Sequence, residues 1–152
     1  MKQVLNANRM IEKERQDTLR IKQILENEMF VSRETNLSGK LFTERAVIVT
    51  VQGVRLIGEN ELRKFIQHAS RSSVTKVLTK NEVLDVLFIR SDVAIVSAVQ
   101  HIRVEGLNES ADVGRGTITF VMVKEVGQWA IAAAQNTLVQ KLPFEWKGSN
   151  QD

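Results

Sequence analysis

Side chains in a β-strand point alternately to opposite faces, so a run in which both alternating sets are apolar must be covered twice. The stretch from Val93 to Val104 is such a run. Val93, Ile95, Ser97, Val99, His101 and Arg103 form one set, and Ala94, Val96, Ala98, Gln100 and Ile102 form the other. The segment from Trp129 divides the same way, with Trp129, Ile131, Ala133, Gln135 and Thr137 against Ala130, Ala132, Ala134, Asn136 and Leu138. Grouping the bulky sets puts Val93, Ile95, Val99, Ile118, Phe120, Met122, Trp129 and Ile131 on one face and an Ala-paved surface on the other. A sheet wet on one side would be polar there. The Ala-paved face therefore calls for the chain's own helices, and the bulky face for a partner. Closed two-fold pairs are the commonest assemblies, so the expected partner is a second copy, meeting Val99, His101, Phe120, Trp129 and Ile131.

The helices come first. From Asn8 to Val31 there is no Gly or Pro, and Ile21, Leu25 and Met29 recur at i+4 with Ile24 beside them. Glu14 and Arg15 interrupt the stripe towards the start, so residues 1–17 read as a frayed extension or as a helix resting on something outside the chain. Ser32 is placed to cap a short second helix carrying Leu37, Leu41 and Phe42. From Ala46 the period changes: Ala46–Val51, the turn Gln52-Gly53 and Val54–Ile57 read as a hairpin. Glu59 to Arg71 then sets Leu62, Phe65, Ile66 and Ala69 on one helical face, with acids first and Arg71 last, as the helix dipole prefers. Four strands follow, at about 74–89 with a bend near Lys80-Asn81, 93–104, 116–124 and 129–139. A polar tail closes the chain over residues 141–152. Helices followed by a long-stranded meander make an α+β class, with the helices on one face of a curved, mainly antiparallel sheet.

Composition narrows the function. With 152 residues the chain suits one domain, 1–152, with a core at about 18–138. Twenty-one Lys and Arg against 18 Asp and Glu leave a net charge of +3, and the two signs are interspersed. Six Phe, two Trp and no Tyr do not form the basic, aromatic stripe of a nucleic-acid binder. No run reaches the roughly 20 apolar residues of a membrane span, and the start has no apolar core of signal-peptide length. The lack of Cys suits a reducing, cytoplasmic setting. Two distant His and no Cys make a transition-metal site improbable, and no cofactor motif occurs.

The order of elements, Phe42-Thr43-Glu44-Arg45-Ala46-Val47, Gln52-Gly53-Val54, Gly58 before a helix, Asp92-Val93-Ala94-Ile95-Val96, Gly116-Thr117 opening a strand, and above all Trp129-Ala130-Ile131-Ala132-Ala133-Ala134-Gln135-Asn136-Thr137 resemble the SnoaL-like branch of the nuclear transport factor 2-like superfamily, particularly its SgcJ/EcaC group. The resemblance covers about residues 18–138. It implies a cone-shaped α+β barrel, its sheet wrapped on N-terminal helices around a pocket and its outer face forming a homodimer. It also implies an inward register of Ala94, Val96, Ala98 and Gln100, of Thr117, Thr119, Val121 and Val123, and of Ala130, Ala132, Ala134 and Asn136. Isomerases, dehydratases, polyketide cyclases and non-catalytic modules share this superfamily, so the pocket residues must choose among them. Its ketosteroid isomerase-like members carry a catalytic Asp that matches Thr119 here and a Tyr that this chain lacks. Ser97 stands where many SgcJ/EcaC-like sequences have His.

Gln100, Thr119 and Asn136, among Val96, Val121 and Ala132, would give an apolar pocket three neutral hydrogen-bonding groups for a small apolar or carbonyl-bearing ligand. None is a general base near neutral pH. The opposing reading is that each satisfies local groups beneath a packed helix. An isomerase, cyclase or dehydratase would need charge, for which Asp85 and Arg115 are the candidates, and Asp85 qualifies only if it turns into the cone. A third reading is a dimerisation module with a filled cone. His68 falls off its helix's apolar stripe and His101 falls on the presumed dimer face, so neither is expected to be catalytic.

Overall fold

The computed structural model describes residues 1–29, 41–72, 77–104 and 112–148. Its elements run α1 (Lys2–Gln23), a π-helical turn (Ile24–Glu28), β1 (Phe42–Val49), β2 (Arg55–Ile57), α2 (Gly58–Ser72), β3 (Val77–Arg90), β4 (Val93–Val104), β5 (Asp112–Glu125) and β6 (Gln128–Leu138). The six strands form one sheet in the order β2-β1-β6-β5-β4-β3. All neighbours are antiparallel except β1 and β6, which run parallel.

The hairpin at Gln52-Gly53 is present, with Gly53 at φ +82. Gly58 switches the chain from β2 into α2 with φ +75, and a Cβ there would lie 3.0 Å from the Glu44 carbonyl oxygen, so two constraints select glycine. Glu61 then accepts the Ile57 N–H at 2.6 Å, closing the corner in front of the helix. Phe42 opens β1 instead of ending a helix, while the short helix expected from Ser32 through Leu37 lies outside the described residues. Residues 2–16 are all exposed yet helical, so α1 projects from the core by most of its length.

Residues paired across strands share a face. On the inner face Ala94 sits opposite Met122, Ala98 opposite Ile118, and Phe120 opposite both Val96 and Ala134. These residues are 0–4% exposed and pack with Ile21, Ile24, Leu25 and Leu62 from the helices. Large side chains thus stand beside small ones instead of grouping, which lets the surface interdigitate under a helix. The expectation of a single bulky face is corrected: Ile118, Phe120 and Met122 point inward, and Thr117, Thr119, Val121 and Val123 outward.

The last strand breaks the two-residue alternation. Val121 pairs with Ala133 but Met122 with Ile131, leaving Ala132 as the extra residue of a β-bulge. Ahead of the bulge Trp129 and Ile131 face inward, at 4% and 0% exposure; beyond it Ala134 and Asn136 do. Strand β3 carries a second irregularity between Val83 and Asp85, a few residues after the bend anticipated at Lys80-Asn81.

Candidate functional site

Three carboxamides cross the inner face in a row. Asn81 on β3 pairs with Gln100 on β4, and both are buried, at 5% and 4% exposure. The π-helical turn sets the sense of the row. The Leu25 carbonyl oxygen, which can only accept, takes a hydrogen bond from Asn81 Nδ2 at 3.1 Å. Asn81 Oδ1 is thereby turned towards Gln100 and accepts its Nε2 at 3.1 Å, and Gln100 Oε1 accepts Asn136 Nδ2 at 2.8 Å. Amide oxygen and nitrogen are readily exchanged in an isolated side chain, but an end fixed by a backbone carbonyl leaves one assignment for all three. The polarity runs out at Asn136 Oδ1, which is buried and accepts no hydrogen bond.

Asn136 on β6 reaches Gln100 on β4 by passing over β5, and Gly116 makes the crossing possible. A Cβ at Gly116 would stand 2.3 Å from Asn136 Oδ1. Gly116 pairs with Gln100, so a position without a side chain lies directly between the two amides. The turn beneath is held by a second contact, in which Glu26 Oε1 accepts the N–H of Val83 at 2.9 Å on edge strand β3.

A charged cluster occupies the other end of these strands. Asp17, 8% exposed, accepts Lys124 Nζ and Trp129 Nε1 on the same oxygen, each at 3.0 Å. Lys124 lies 5.8 Å from the centroid of the Trp129 ring, which also meets Phe88 edge-on with centroids 6.0 Å apart. Two donors on one carboxylate oxygen fasten α1 to β5 and β6, and Asp17 is the one acidic residue buried among the described residues.

The residues singled out in the sequence divide accordingly. Gln100, Asn136 and Val96 lie on the inner face, and the first two are bonded to each other. Thr119 and Val121 face the opposite way, paired with Ser97 and Ile95, and Ala132 is the bulged residue. Phe120, Trp129 and Ile131, expected at an intermolecular surface, belong to the protomer's own core, whereas Val99 and His101 do lie on the outer face, half-buried. His101 Nε2 is 2.9 Å from Glu82 Oε2. Asp85 pairs with Ser97 and Arg115 with His101, so both are exposed on the outer face and neither charge enters the cone. His68 is exposed on α2.

Sequence reasoning missed Asp17, Asn81, Glu26 and Lys124. Asp17 stands one helical turn before Ile21 on the apolar stripe, and an acid in that position is the signal that was available. Among the described residues no group of three His, Cys, Asp or Glu is arranged to hold a metal, and no helix is long and apolar enough to cross a membrane. An open crease along Gln140–Trp146 belongs to the tail, apart from the inner face.

No family model matches the chain, and no curated protein does. Solved structures do. A domain of unknown function with a cystatin-like fold from Nostoc punctiforme is 23% identical, with a TM-score of 0.66 over 84% of this chain and 78% of that one. A putative scytalone dehydratase from Novosphingobium aromaticivorans is 16% identical, with a TM-score of 0.68 over 92% and 95%. A function-unknown protein from Mycobacterium tuberculosis is 20% identical, with a TM-score of 0.70 over 87% and 77%. At these identities the likeness concerns the backbone, and it agrees with the strand order and helix placement described above: the chain has the α+β cone fold of nuclear transport factor 2-like, or cystatin-like, proteins.

Proposed function

We propose that this protein is a small-molecule-binding cone domain of SgcJ/EcaC-like type, acting as a homodimer, with its ligand held at the amide row of Asn81, Gln100 and Asn136. The observation that carries this reading is the buried Asn136 oxygen at the end of the row, which accepts no hydrogen bond. An unsatisfied buried acceptor costs about 1–3 kcal/mol, and a bound donor removes that cost. The surrounding Val96, Ala98 and Ile118 are apolar and buried, a setting in which one or two polar groups orient a ligand.

Homodimerisation is supported by the outer face. Val93, Ile95, Val99, Val121 and Val123 are half-buried there, and the helical core residues Ile21, Ile24, Leu25 and Leu62 pack with the opposite, inward set. A second copy would cover both faces with one two-fold operation.

An enzymatic reading has one observation in its favour, the buried Asp17 carboxylate on the inner side of the sheet. The structural likeness to a putative scytalone dehydratase keeps lyase chemistry in view. Asp17 Oδ1 already fastens α1 to the sheet through Lys124 and Trp129 Nε1, and that structural engagement favours binding over catalysis. A non-catalytic dimerisation module is the third reading.

A native mass spectrum of the purified protein separates these readings. A dimer carrying a discrete adduct that denaturation removes is the expected result. A bare dimer would favour the dimerisation module, and a monomer at micromolar concentration would overturn the assignment of the outer face.

A further inference from the structure

Building on the binding reading, we propose that the amide row selects its ligand by hydrogen-bond polarity: it takes a neutral group that donates, a hydroxyl or an N–H, and discriminates against the matching carbonyl or ether. The direction of the row carries the argument. Leu25 is represented by its backbone carbonyl, which has no proton to give, so Asn81 must present nitrogen to it and oxygen to Gln100. Gln100 is then compelled to present oxygen to Asn136, and Asn136 to spend a nitrogen proton on Gln100. Each of the three nitrogens already donates at least one proton within the row or to the turn, and the one buried amide atom with no partner at all is an oxygen.

Reversing a single amide to create a terminal donor would set oxygen against oxygen at the next junction. Reversing all three would set Asn81 Oδ1 against the Leu25 oxygen. The row is therefore locked by a turn on a different element, and the unpartnered atom that a ligand meets at its end is an acceptor that cannot be exchanged for a donor. Charge follows the same logic. The inner face around Gln100 is lined by Val96, Ala98 and Ile118, so a carboxylate would be desolvated next to an amide oxygen, and it is rejected along with the carbonyl.

The test uses full-length 15N-labelled protein and two matched probe pairs, cyclohexanol with cyclohexanone and phenol with anisole. The side-chain amide signals of Gln100 and Asn136 are followed during titration and assigned by their loss in Gln100→Ala and Asn136→Ala. The alcohol of each pair is expected to shift both signals saturably, and to bind about tenfold more tightly than its partner, a difference of roughly 1.4 kcal/mol. Asn136→Ala should remove the preference while leaving backbone signals of β3 and β4 in place; if that variant does not fold, the comparison within each pair on the unaltered protein still decides. Equal affinities, or a preference for ketone and ether, would overturn the polarity rule and leave the binding reading standing. Probes that leave both side chains unmoved up to their solubility limits would overturn the two together.

Discussion

Gly116 shows how much one missing methyl group can organise. Gly116→Ala places a Cβ 2.3 Å from Asn136 Oδ1, and the amide end, the softest neighbour present, must leave. Its bond to Gln100 goes with it, so urea denaturation is expected to register a loss of about 1–2 kcal/mol. Paired with Asn136→Ala the same substitution should cost much less than the sum of the two, because the obstruction is already gone; additive costs would show that the two residues are not coupled. At Asp17 the sign is plainer. Asp17→Ala deprives Lys124 and Trp129 Nε1 of a shared acceptor and should destabilise by about 2–3 kcal/mol in the same assay. At this scale the sequence disclosed Gln100 and Asn136, both amides inside apolar runs. It concealed their mutual bond, because Asn81 and Gly116 complete the row from other strands and neither looks unusual alone.

Among the elements, the strands and the inward face of β4 were legible, and the faces of β5 and of the start of β6 were not. Val93–Val104 emerges with the bounds its alternation implies, since two-residue periodicity and the flanking Arg90-Ser91-Asp92 turn need no tertiary information. The face of β5 was not readable, because both of its alternating sets are apolar or hydroxylic and only the pairing of Ala98 with Ile118 decides between them. The bulge at Ala132 is silent for a similar reason: it lies in a run of three alanines, where no change of side chain marks the lost step. The π-helical turn is equally hidden, although its effect is local and testable. Glu26 tethers the Val83 N–H of an edge strand, so Glu26→Ala should raise hydrogen exchange at Val83 by about tenfold, with little change at Val96 in the sheet interior. Similar protection at Val83 in both proteins would show that the tether is dispensable.

For the molecule as a whole, the projecting part of α1 and the outer sheet face are the two surfaces whose purpose the protomer does not explain. Because residues 1–16 are exposed throughout, deleting residues 2–13 should move the thermal midpoint of the core by less than about 2 °C in calorimetry. A larger drop would mean that the projection is packed in solution. The outer face responds to charge instead. Val121→Lys, central to that face and only half-buried, is expected to convert the proposed dimer to a monomer by light scattering with the fold retained by circular dichroism. A dimer that survives the lysine would have to be built elsewhere.

The parallel pairing of β1 with β6 also governs how the chain comes into being. β1 is the first strand to leave a ribosome and β6 is the last, yet Val47 hydrogen-bonds alongside Ala133. Until Gln128–Leu138 has emerged, β1 has only the three-residue β2 as a strand neighbour, and Phe42, Ala46 and Ile48 lack their final cover. Contacts so distant along the chain are slow to close and leave strand edges open to foreign partners meanwhile. Nascent chains of this protein should therefore depend on protection throughout synthesis, and any chain stopped short of β6 should aggregate, however complete its other strands.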